Sequence, residues 1–136
     1  MDSRPPYAAD HELVDAAVET LQARFHPDRH RVASALRTED GTVYTAVNLK
    51  STVDQATVHC EPITLENALA DGHDEFDCSV AVRFREDDPT NEPVVISACG
   101  VCRELLYDYD PSLDVLVRLD GELRKVSLSE LLPARA

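Results

Sequence analysis

The chain has 136 residues and a formal net charge of −13, with a pI near 4.6. That length predicts one domain with a real core, and that charge excludes nucleic acid as a bulk partner, because its phosphates would be repelled. No apolar run is long enough to span a membrane, and Met1-Asp2-Ser3-Arg4-Pro5-Pro6 lacks the apolar core of a signal peptide.

A cytoplasmic, reducing location is therefore expected. There the four cysteines serve as ligands or core rather than as disulfides. Lys50 and Lys125 are the lysines among 13 basic residues. An acidic, lysine-poor surface points to a high-salt cytoplasm or to a GC-rich genome.

Residues up to about Ala9 read as a loose arm. Asp10 is placed to cap a helix running to about Arg24, with Leu13, Val14, Ala17, Val18 and Leu21 on one face. His26-Pro27-Asp28 breaks that pattern. Two strands follow, about Arg31–Arg37 and Thr42–Asn48, joined around Asp40-Gly41, a hairpin signal. A polar loop then leads to His59.

His59 to Ala70 reads as a helix ended by Gly72. Pro62 is tolerated only in a first turn, which sets His59-Cys60-Glu61 at the helix N-terminus. Helical geometry points the Cys60 side chain about 100° away from its neighbours. Phe76–Arg85 is a third strand, with Cys78 read as core. Glu86 to Glu92 is a solvated loop, and Pro93 to Ser97 a short strand that delivers Cys99. Cys99 to Asp108 is a third helix, Leu113–Leu119 a buried strand, and Asp120-Gly121 a turn. Ser127-Leu128-Ser129-Glu130 reads as a capping box opening a short final helix. Strands alternating with helices predict an α/β sandwich on a mixed sheet.

The chemistry is carried by His59-Cys60-Glu61 and by Cys99-Gly100-Val101-Cys102. One imidazole and two thiolates hold Zn²⁺ and leave a fourth position for water, the pattern of a catalytic site. Glu61, two residues after the histidine, is then not a ligand but a proton carrier beside the activated water. His-x-Glu followed by Cys-x-x-Cys is the signature of zinc-dependent deaminases.

The chain resembles the cytidine deaminase superfamily over nearly all its length. Val32-Ala33-Ser34-Ala35-Leu36 and Thr45-Ala46-Val47-Asn48 look like the family's N-terminal hairpin. His59-Cys60-Glu61 looks like its Cys/His-Ala-Glu, and Ala98-Cys99-Gly100-Val101-Cys102-Arg103 like its Pro-Cys-Gly-x-Cys-Arg. Val32 to Ala35, Cys78 to Val82 and Glu130-Leu131-Leu132-Pro133 also resemble the blasticidin S deaminase branch.

The resemblance implies a three-layer sandwich, a five-stranded mixed sheet with helices on both faces, and a pyrimidine-salvage hydrolase acting on a nucleoside-like small molecule, usually a homotetramer with active sites near subunit interfaces. It implies that Glu61 takes a proton from water, protonates N3 as water attacks C4, and passes a proton to the departing amine. Asn48 matches a ribose contact, and the backbone around Cys60 and Ser97 would orient the ring. With neutral His59 and two thiolates the ligand set already balances Zn²⁺. No cation is then needed at Pro62, where three-thiolate members of the family often carry arginine.

Three departures bear on substrate. Lys50 stands where the family has a ribose-binding glutamate, and as a cation it suits a phosphate or carboxylate instead. His30 falls where many members place a phenylalanine against the base. The family's C-terminal aromatic residues are absent from Pro133-Ala134-Arg135-Ala136. A modified or anionic cytosine derivative is thus an alternative to cytidine. Two further alternatives are a binding protein without turnover and a structural zinc module with Cys60 or Cys78 as fourth ligand.

Overall fold

The computed structural model describes residues 1–134. Arg135 and Ala136, the end of the tail noted above, lie outside the described residues. The elements run α1 (Ala8–Arg24), β1 (Val32–Thr38), β2 (Val43–Val47), α2 (Cys60–Ala70), β3 (Phe76–Phe84), β4 (Pro93–Ile96), α3 (Gly100–Tyr109), β5 (Asp114–Leu119) and β6 (Glu122–Ser127), with a final 3-10 turn at Leu128–Leu131.

The expected five-stranded mixed sheet is the path β2-β1-β3-β5-β6, and β4 is a sixth strand that pairs with β3. β1 is antiparallel to β2 and β3. β3 is the divided strand. Cys78 and Ser79 pair in parallel with Asp114 and Val115 of β5, while Ala81 to Phe84 pair antiparallel with Ile96 to Pro93 of β4. The parting of β5 from β3 makes room for β4, whose end carries the chain to Ser97 and Cys99. β5 and β6 form a hairpin with Leu119 opposite Glu122. Its Asp120-Gly121 turn has φ of 51° and 81°, positive at both positions as a type I′ hairpin demands. That explains the Asp-Gly dipeptide.

Helices cover both faces. α1 packs Leu13, Ala17 and Leu21 on Ala33, Ala35, Cys78, Val80 and Val82. α2 and α3 pack Leu65, Ala68 and Leu106 on Leu36, Val115, Val117 and Val126. Alternate residues of β1 therefore point to opposite cores, as the pleat dictates. Each fully buried leucine contributes about 1.5–3 kcal/mol. No helix among the described residues is long and apolar enough to cross a membrane.

Two local expectations are corrected. Asp10 is not the N-cap of α1, a place taken by Tyr7. It sits in the first turn and accepts the Tyr7 backbone N–H at 2.8 Å. Its fully buried carboxylate accepts from Arg37 Nη2 at 2.7 Å and lies 3.3 Å from Lys125 Nζ. Lys125 is itself buried and lies over the Tyr7 ring at 4.6 Å. Arg37 also holds Asp77 at 2.7 Å. The second correction concerns Ser127, which ends β6 opposite Asp114. Its side chain caps nothing, and the residues after it form a 3-10 turn.

Candidate active site

Two helix N-termini bring the site together. His59 is the N-cap residue of α2, and Cys99 is that of α3. Cys102 lies in the first turn of α3, and Pro62 in that of α2, where its missing N–H costs no hydrogen bond. Backbone N–H groups at both ends favour anionic donors.

His59 Nδ1 lies 3.2 Å from Cys99 Sγ and 3.3 Å from Cys102 Sγ. All three donor atoms lie within 4.8 Å of one another. A tetrahedral zinc with usual Zn–N and Zn–S bonds has an N···S edge of about 3.6 Å, so the cluster fits that ion with little adjustment. Burial, then the Glu61 carboxylate and Cys99, push the Cys102 thiol up. A divalent cation reverses that balance by neutralising the converging negative charge. Neither Cys60 nor Cys78 belongs to the cluster among the described residues, so no fourth sulfur closes it. His59 and Cys99 are exposed and Cys102 is buried, leaving one side open.

That side faces a cavity of about 210 Å³. Val32 and Ile96 supply apolar wall, Asn48, Thr57 and Ser97 polar groups, and His59, Cys60, Glu61 and Cys99 the chemistry. Glu61 is only 5 % exposed. Thr64 Oγ1 donates to its backbone carbonyl at 2.9 Å. The Cys60 thiol lies 3.1 Å from Glu61 Oε1, so the Cys60 side chain does not point away from Glu61 as helical geometry predicts. Burial, then the charge of Glu61, push that thiol up, which keeps it an S–H donor.

Asn48 has one side-chain group committed. Its Oδ1 accepts the backbone N–H of Arg31 at 2.8 Å and of Val32 at 3.1 Å. The NH₂ is left to serve the cavity as a donor. His30 does not line the cavity, and its Nδ1 lies 2.7 Å from the Asn48 backbone oxygen. Lys50 is also elsewhere. It is exposed, pairs with Asp54 at 3.0 Å, and lines a separate cleft with Asp28, Arg29, Ser51 and Thr52. Sequence reasoning missed Thr57, Val32 and Ile96. Signals for two of them exist. Thr57 stands two residues before His59, and Val32 opens the strand whose carbonyl accepts the Asn48 N–H.

The family model for the cytidine and deoxycytidylate deaminase zinc-binding region matches residues 8–116. The chain belongs to that family. A blasticidin-S deaminase from Bacillus cereus is 36% identical over 127 residues, 93% of this chain and 91% of that protein. A cytidine deaminase from Sporosarcina psychrophila is 31% identical over 114 residues, covering 82% and 79% of the two chains. Among solved structures, cytidine deaminase from Bacillus anthracis superposes with a TM-score of 0.78 at 25% identity, over 93% of this chain and 88% of that one. The enzyme from Burkholderia pseudomallei gives 0.73 at 28% identity, over 91% and 96%. This deaminase is thus a zinc-dependent hydrolase of C–N bonds, and the His/Cys/Cys cluster is the place in it that fits zinc.

Proposed function

We propose that this deaminase removes the exocyclic amine of a cytosine nucleoside or related aminopyrimidine, with water replacing it and ammonia leaving. His59, Cys99 and Cys102 hold the metal. When bound, zinc supplies water activated for attack near neutral pH. Glu61 takes one proton from the attacking water and delivers it to ring N3 as C4 is attacked, then takes the second from the hydroxyl now on C4 and passes it to the amine that departs. The balance is one water consumed and one ammonia formed. Asn48 binds as a donor through its NH₂, which suits a hydroxyl or carbonyl oxygen. The Cys60 and Ser97 backbone orients the ring, and Val32 and Ile96 keep water from its faces.

The observation that carries this reading is the meeting of Glu61 and the open side of the His/Cys/Cys cluster in one cavity. Residues 1–136 act as one deaminase domain on this reading, in the cytoplasm, as a homotetramer. Exposed Leu49, Val53, Val58 and Val101, close in sequence to the site residues, favour a covered surface there. A second reading, a blasticidin S-like substrate, is favoured by the 36% identity to the Bacillus cereus protein.

The test is ammonia release across cytidine, deoxycytidine, cytosine, their phosphates and blasticidin S. Glu61→Gln keeps shape and removes the base. It is expected to lower turnover at least about a hundredfold with zinc retained. Near-normal turnover by that variant refutes the role of Glu61.

A further inference from the structure

Cys60 and Glu61 are neighbours in the first turn of α2, where consecutive side chains diverge by about 100°. Yet the Cys60 sulfur is 3.1 Å from Glu61 Oε1. Both residues are buried, at 1 % and 5 % exposed, so the contact is not a surface accident. The hydrogen bond runs from the Cys60 S–H to that carboxylate oxygen. Among the described residues no other group donates a hydrogen bond to this carboxylate. Thr64 holds the Glu61 backbone carbonyl and leaves the carboxylate free to rotate. Ser34 of β1, a fully buried residue, also stands against the sulfur.

We propose that Cys60 is a positioning residue for Glu61. Its S–H commits one carboxylate oxygen, fixes the rotamer, and leaves the other oxygen to face the reacting water. A carboxylate in a cavity 210 Å³ in size otherwise has rotamers that turn both oxygens off the reaction line. A misplaced proton carrier lowers the chemical step without weakening substrate binding. Helical geometry then explains the local sequence. Pro62 locks the turn, Cys60 tethers the acid beside it, and His59 on the other side is free to bind metal. This inference rests on the assignment of Glu61 as proton carrier.

The experiment compares zinc-loaded wild type with Cys60→Ala, Cys60→Ser and Glu61→Gln, on whichever of cytidine and blasticidin S is turned over. Cys60→Ala is expected to lower kcat about five- to tenfold at unchanged KM, the effect of one hydrogen bond of ordinary net strength, because a thiol is a weak donor. Cys60→Ser keeps a donor at that place and is expected to restore kcat to within about twofold of wild type. The second readout is independent of turnover. The infrared S–H stretch of Cys60, isolated by subtracting the Cys60→Ser spectrum, is expected at a frequency lowered by hydrogen bonding. It is expected to rise in Glu61→Gln, where the acceptor loses its charge.

An S–H band that does not respond to Glu61→Gln overturns the proposal. So does a Cys60→Ala enzyme with wild-type kcat, or equal losses in Cys60→Ala and Cys60→Ser, which would mark a packing effect. If instead Glu61→Gln turns over normally, the assignment of Glu61 has failed first, and the two failures are told apart.

Discussion

Asp10→Asn tests the buried charge cluster that joins α1 to the sheet. In the folded chain the Asp10 carboxylate is fully buried between Arg37 at 2.7 Å and Lys125 at 3.3 Å. The substitution leaves two cations facing a neutral amide. Removing one partner of a buried pair costs about 3–5 kcal/mol. Arg37 retains Asp77 and Lys125 retains the Tyr7 ring, so the lower end, about 3 kcal/mol, applies. Unfolding entropy of about 2.1 cal/mol/K per residue over this length converts that to a fall in Tm of about 10 °C.

The pH dependence follows from the direction of the Asp10 shift. Burial alone would raise its pKa, but hydrogen bonds from Arg37, the Tyr7 N–H and Lys125 hold it below the ordinary 3.8. The stabilisation is complete above that ordinary value and is lost as pH falls through the lower, folded value. Calorimetry at fixed zinc is therefore expected to show a constant gap between wild type and variant from pH 5 to 8, narrowing only below about pH 4. A gap under about 3 °C at neutral pH, the size of an exposed pair, refutes the reasoning.

Metal analysis is expected to give about one zinc per chain, lost in Cys99→Ala and retained in Cys60→Ala, since Cys60 lies outside the donor cluster; equal zinc in Cys99→Ala and wild type contradicts the ligand set. Chelation followed by zinc addition is expected to abolish and then restore ammonia release, and activity that survives full removal of the metal contradicts its role. Lys50→Glu is expected to leave the ratio of kcat/KM for cytidine and an anionic analogue within about twofold, because Lys50 is exposed and pairs with Asp54. A reversal of preference would place Lys50 on the substrate.

Much of this structure is legible in local pattern. Pro62 can stand only in a first turn, so it sets the start of α2 and with it the place of His59 and Glu61. Asp-Gly at 120–121 reads as a hairpin because the turn needs two positive φ angles. What local pattern does not show is decided by partners far along the chain. Asp10 reads as a helix cap, the usual surface task of an aspartate, but its cations come from β1 and β6. Ser127 and Glu130 spell a capping box, but Ser127 is claimed by the sheet through Asp114. A strand pairing outweighs a local cap worth about 1 kcal/mol.

The same distinction governs substrate choice. Spacing alone places Lys50 two residues beyond Asn48 and invites an anionic ligand. Sheet geometry separates them. Asn48 closes on Val32 and faces the cavity, whereas Lys50 follows the chain outward to Arg29 and Asp54. Among the described residues the cavity lining contains a carboxylate, Glu61, and neither lysine nor arginine. On a chain of net charge −13, with the charge of the zinc already balanced by two thiolates, an anionic group inside that cavity would meet the Glu61 carboxylate and no side-chain cation among the described lining residues. A neutral or cationic group there is favoured by the same field. The proposal of a neutral cytosine nucleoside or a blasticidin S-like substrate thus rests on the walls of the cavity rather than on the position of Lys50 in the motif.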